Sequence, residues 1–162
     1  MEYNEENLNQ LREILSPPPL IIGIGNELRG DDGAGIILIE KLRESGYPSL
    51  LNVYSNPENY LRKIAEIEKH HRLWVDVINW DAPPGDFRIF DSSEIKYFAI
   101  STHNFSPAVL LEFLKEYRNI PDYFLGIQPK NMQLGQALSS EVEETVEFLR
   151  DFIVENMNQK RR

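Results

Sequence analysis

The chain contains no cysteine. That absence excludes disulfides, thiolate metal sites, iron–sulfur clusters and a cysteine nucleophile, and it agrees with a reducing compartment. Long apolar runs are missing too; none approaches the roughly 20 residues needed to span a bilayer, so no membrane association is expected. Met1 to Leu15 is acidic and polar, without the apolar core of a secretory signal, and a cytoplasmic location is expected. Basic charge is in deficit, with 17 Lys and Arg against 26 Asp and Glu, for a formal net charge of -9. Such a surface repels nucleic acid and anionic lipid, whereas a metal ion or a locally basic protein is easier to accommodate. What remains, 162 residues that are 41% hydrophobic and 27% charged, suits one soluble globular domain, with a monomer as the default.

Apolar patterning gives the elements. Asn4 to Leu15 places Leu8, Leu11, Ile14 and Leu15 on one side of a short helix, which Pro17, Pro18 and Pro19 terminate. Residues 1–19 therefore read as a helix and proline-rich linker appended to a domain at 20–157, followed by a frayed basic tail at 158–162. Leu20 to Gly25 is a continuous apolar run, as in a strand buried on both faces, and a glycine-rich turn leads to a helix from about Gly33 to Ser45. Leu50 to Tyr54, Leu73 to Ile78, Phe87 to Phe90 and Tyr123 to Ile127 read as further strands. Helices are predicted over Pro57 to Glu68, from Ser106-Pro107 to Tyr117, and after Ser140, where Ser140 and Glu143 suggest a capping box. Val142, Val146, Leu149 and Ile153 form the inward stripe of that last helix. The alternation predicts an α/β fold, a three-layer α/β/α sandwich around a mostly parallel sheet.

Ligands of such sheets collect beyond the C-terminal strand ends, and three polar features fall there. Asp31 and Asp32 follow the first strand, Asp76 interrupts the apolar Leu73–Ile78 run, and His103 stands in Ser-Thr-His-Asn ahead of a helix. Two carboxylates and an imidazole at one sheet edge suit a divalent cation. Each also has a plainer explanation. Asp31 or Asp32 could cap the following helix, Asp76 could accept backbone hydrogen bonds, and a single His before a helix is commonly structural. A carboxylate inside an apolar strand nevertheless costs several kcal/mol unless something compensates it.

Other chemistries lack their residues. Gly23-x-Gly25 begins a dinucleotide fingerprint, but Leu28 occupies its third glycine position and no acid for a ribose follows the second strand near Ser55. The lysine of a phosphate-binding loop is missing, and two aspartates at a helix N-terminus repel phosphate. There is no His-Glu-x-x-His and no Gly-x-Ser-x-Gly. His70 and His71, beside Lys69 and Arg72, read as a solvated turn, and Trp74 and Trp80 as packing in the core and near the site.

Gly23-Ile-Gly-Asn-Glu-Leu-Arg-Gly-Asp-Asp-Gly-Ala-Gly35 resembles the opening motif of the nickel–iron hydrogenase maturation proteases. Val75-Asp76 resembles their central strand motif and Thr102-His103-Asn104 their His motif. Asn56-Pro57-Glu58-Asn59 and Phe124-Leu-Gly-Ile-Gln-Pro129 resemble the branch that matures hydrogenase 3-type large subunits. The order of the motifs is kept from Leu20 to the last helix, with Val77 standing where alanine is usual. The resemblance implies an endopeptidase that removes a C-terminal extension from a nickel-loaded large-subunit precursor. It implies Asp32, rather than Asp31, with Asp76 and His103 as metal contacts, and Asp32 as the catalytic candidate. The metal would be nickel carried by the precursor, with zinc or cadmium able to substitute in crystals. Lys130 to Ser139 is where contacts specific to the partner are expected. Two alternatives stay open: Asp32 and Asp76 as a metal-independent aspartic pair, although no Asp-Thr-Gly or Asp-Ser-Gly is present, or a non-enzymatic nickel-binding chaperone of the large subunit.

Overall fold

The computed structural model describes residues 2–95 and 106–160. Five strands form one sheet: β1 (Leu20–Ile24), β2 (Leu50–Tyr54), β3 (Arg72–Val77), β4 (Phe87–Asp91) and β5 (Asp122–Ile127). Their spatial order is β2-β1-β3-β5-β4; only β4 is antiparallel, pairing with β5 at the edge. The predicted sandwich is what forms. Helices α1 (Glu5–Ile14), α2 (Ala34–Glu44) and α5 (Ser140–Lys160) share one core with Ile21, Leu73, Val75 and Leu125. Helices α3 (Leu61–Glu66) and α4 (Pro107–Tyr117) share the other with Leu20, Ile22, Trp74 and Phe124. The alternation of side chains along buried strands therefore divides each apolar run between two helical layers.

Helix α1 begins where the Asn4 side chain accepts from the backbone N–H groups of Glu6 and Asn7, and its Leu8, Leu11 and Ile14 are buried in the first core. The predicted helix over Pro57–Glu68 is shorter, a 3₁₀ turn (Pro57–Tyr60) followed by α3. Helix α5 runs through Lys160, three residues into the stretch expected to be a tail. Its predicted inward stripe, Val142, Val146, Leu149 and Ile153, is wholly buried.

Three expectations are corrected. The Ser140 and Glu143 capping box does not form: Ser140 is already inside α5, its hydroxyl donates to Glu141, and the Glu143 N–H bonds the Ser139 carbonyl. His71 is not solvated; it is buried, and its Nε2 hydrogen-bonds the Ile14 carbonyl, tying the end of α1 to the start of β3. Arg72 is buried as well, with Nε 2.7 Å and Nη2 3.1 Å from the two oxygens of Asp122. His70 is exposed, and Trp74 is fully buried and stacked on Phe124.

The chain leaves β1 through α2 to reach β2 on one side, then passes through α3 to reach β3 on the other. The C-terminal ends of β1 and β3 thus flank the switch point of the sheet, where this topology opens a crevice.

Candidate active site

Beyond Ile24 the backbone turns through Gly25 at φ 145°, a conformation that side chains rarely tolerate. A Cβ there would lie 2.0 Å from the Asp32 carbonyl oxygen and 3.8 Å from Asp76 Oδ1. Gly25 is therefore the point at which the Asp32 loop closes against β3. The Asn26 N–H donates to that same Asp32 carbonyl at 3.1 Å, and the Asn26 side chain accepts from the Leu28 N–H at 2.9 Å. Gly35 performs a similar service one turn later: a Cβ would meet the carbonyls of Val75 and Ile24, so α2 starts in contact with both strands.

Asp31 and Asp32 occupy a 3₁₀ turn (Gly30–Gly33) that precedes α2, and both are buried. Neither caps a helix; the N-cap of α2 is Gly33, without a side-chain bond. Asp31 instead organises a second loop. Its Oδ2 accepts from the N–H groups of Lys130 at 2.8 Å and Asn131 at 3.0 Å, and its Oδ1 from the Ser139 N–H at 2.7 Å, with the Ser139 hydroxyl donating as well. Both oxygens of Asp31 are thus engaged in fixing the 130–139 loop beside the site.

Asp76 lies within β3, opposite Gly126 of β5, and is 1% exposed. Strand alternation puts it on the same face as Trp74, the face that α3 and α4 cover. Its Oδ1 accepts from the Val77 N–H at 2.8 Å and lies toward Gly25. Asp32 and Asp76 are thus both buried at the switch point, the Asp32 backbone carbonyl and the Asp76 carboxylate approaching the same glycine. His103 lies outside the described residues; the chain resumes at Ser106, which caps α4 by accepting from the Val109 N–H. Among the described residues no three His, Asp or Glu side chains gather as a metal set. The two carboxylates supply oxygen donors of a kind that suits divalent ions.

Gln128 is a residue whose part only the fold reveals. Nearly buried just past β5, it accepts through Oε1 from the Trp80 and Ala82 N–H groups and donates through Nε2 to Asn79. It thereby shapes the loop that leaves β3 after Asp76. The sequence signal was its place in Leu-Gly-Ile-Gln-Pro directly after an apolar strand.

Comparison with known proteins bears on the family and the fold. The profile of the family described as HycI, hydrogenase maturation protease, matches residues 36–156. The chain is 33% identical over 132 residues to the hydrogenase 3 maturation protease of Escherichia coli K12, covering 79% of this chain and 83% of that protein. The crystal structure of a NiFe hydrogenase maturation protease, HycI from Thermococcus kodakarensis, superposes with a TM-score of 0.81 at 30% identity, covering 92% and 99% of the two chains. The solution structure of the endopeptidase HycI from Escherichia coli gives 0.71 at 30% identity, covering 82% and 86%. The chain belongs to the hydrogenase maturation protease family and is a peptide-bond hydrolase of the endopeptidase type.

Proposed function

We propose that this endopeptidase removes the C-terminal extension from the nickel-loaded precursor of a nickel–iron hydrogenase large subunit, and that Asp32, Asp76 and His103 engage the nickel the precursor carries. The observation that supports this most is the burial of Asp32 and Asp76 at the switch point, where the Asp32 backbone closes on Gly25 beside the Asp76 carboxylate. Carboxylate oxygens at the C-terminal ends of β1 and β3 stand where ligands of such a sheet collect, and they are donors that a divalent cation uses. Carboxylate and imidazole donors suit nickel, though equally zinc. Nickel is thus substrate here, and it serves to register the scissile bond against Asp32, the residue proposed to act on the reacting groups. His103 would offer the metal a neutral imidazole nitrogen. We place the reaction in the cytoplasm, with the enzyme acting as a monomer. A cysteine-free chain suits that reducing compartment, and none of the described helices is long and apolar enough to cross a membrane.

The test offers purified protein the nickel-loaded and the nickel-free precursor and follows the precursor's mass. Loss of one C-terminal peptide from the loaded form alone is expected. Equal cleavage of both forms overturns nickel gating in favour of an aspartic pair, and an unchanged mass overturns proteolysis in favour of a binding module. Asp32→Asn, Asp76→Asn and His103→Ala should each slow processing by at least about 100-fold, the upper range even for residues one shell further from a metal.

A further inference from the structure

The loop at 26–30 and the loop at 130–139 are interlocked backbone to backbone. Gly30 N–H donates to the Gln136 carbonyl at 3.1 Å, Asp31 N–H to Asn131 at 2.8 Å, and Gly135 N–H to Leu28 at 2.8 Å. The Asp31 carboxylate adds its own bonds from Lys130, Asn131 and Ser139. On this braced platform Leu28 and Leu134 are 68% and 69% exposed. Apolar side chains held rigidly in water beside an active site are what recognition surfaces use, because little further ordering is needed on binding.

Between these loops and the helices lies a groove of about 370 Å³. Ile37, Ala137 and Leu138 supply apolar lining, and Glu27, Gly30 and Glu143 border it. Gly30 opens the same 3₁₀ turn that carries Asp32, so that turn also borders the groove. Lys41 also borders it, but its ammonium is committed to Glu147 at 2.6 Å. Glu27 and Glu143 are exposed and, among the described residues, have no basic partner. A groove with apolar lining and two uncommitted carboxylates complements an apolar side chain next to a basic one.

We propose that this groove, with Leu28 and Leu134 at its loops, seats a segment of the precursor that carries an apolar residue flanked by Lys or Arg. The proposal rests on the chain acting as a precursor-processing protease, and it assigns the substrate-docking surface of that same site. Its test compares steady-state processing of the nickel-loaded precursor by wild type, Leu28→Ser/Leu134→Ser and Glu27→Gln/Glu143→Gln, with thermal melts confirming intact folds. The double leucine variant should raise KM about tenfold or more, the scale of losing interface anchors, and leave kcat unchanged. The double glutamine variant should raise KM less and flatten the salt dependence of kcat/KM. Wild-type KM in the leucine variant, while wild type processes normally, overturns the docking surface and leaves the proteolytic function standing. A fall in kcat alone overturns it as well. So does a wild-type dimer that the leucine substitutions dissociate, because the face would then join two copies of this chain. Failure of wild type to cut the precursor overturns the function itself, and this inference with it.

Discussion

At the N-terminal end of β3 and β5 the Asp122 carboxylate receives the Arg72 guanidinium on both oxygens and the Trp74 Nε1–H at 2.8 Å, all of them buried. At the opposite end of the sheet Asp31 is just as buried, yet every donor it receives is neutral: three backbone N–H groups and one hydroxyl. The first arrangement cancels its charge within the fold, so its effect stops at architecture. The second is met by no basic side chain among the described residues, and its neutral donors serve to hold the 130–139 loop beside Asp32. One end of the sheet closes the structure and the other presents it.

Asp122→Ala offers the largest effect that separates the two ends. It strands a buried guanidinium, at a cost of about 3–5 kcal/mol in stability, visible as a large drop in Tm. At temperatures where the variant stays folded, precursor processing should match wild type. Impaired processing by fully folded variant would show that the closed end also serves the reaction. Asp31→Ala comes next, with an expected loss of about 2–3 kcal/mol because three N–H groups lose their acceptor at partly buried positions. It differs in kind: the amides of Asn131 and Ser139 should exchange faster with deuterium, and kcat/KM should fall because the groove and the Asp32 turn share that brace. If Asp31→Ala lowers stability without touching kcat/KM, the contrast between the ends reduces to the choice of hydrogen-bond donor.

Five strands and both helical layers were legible in the sequence because each buried strand is a short apolar run bounded by Gly, Pro or charge. Asp76 was legible for the same reason, as the lone carboxylate in such a run. The corrections concern polar residues whose partners are remote in sequence. Arg72 reads as part of a solvated turn until Asp122, 50 residues on, reaches it, and His71 until the Ile14 carbonyl, 57 residues back, does. Asp31 reads as a helix cap because a cap is local, whereas its real partners lie 99 to 108 residues away. The capping box failed for a related reason: Ser139 precedes the helix, and Asp31 takes its hydroxyl. The position of Asp32 and Asp76 at strand ends came from pattern, whereas their pairing with His103 and the choice of Asp32 over Asp31 came from resemblance. Both oxygens of Asp31 are occupied in holding a loop, a role that pattern did not offer.

Asp91 supplies the smallest effect and the finest test of the closed end. Because β4 runs antiparallel, its last residue faces Tyr123 and so shares the end of the sheet where Asp122 lies. The Ser93 hydroxyl, together with the N–H groups of Ser93 and Glu94 at 2.9 Å, holds the Asp91 carboxyl below the ordinary carboxylate range. A pKa lowered by folding contributes stability that is full above the unfolded value, about 3.9, and is lost as pH falls through the folded value. The group is largely exposed, so Asp91→Ala should cost no more than about 1 kcal/mol at neutral pH. Chemical denaturation of both proteins should show the gap between them narrowing below about pH 4. Processing at neutral pH should be unchanged. A gap that stays constant into acid would assign the contribution to turn geometry that survives protonation, and charge at this end would then act through the Arg72–Asp122 pair and not through Asp91.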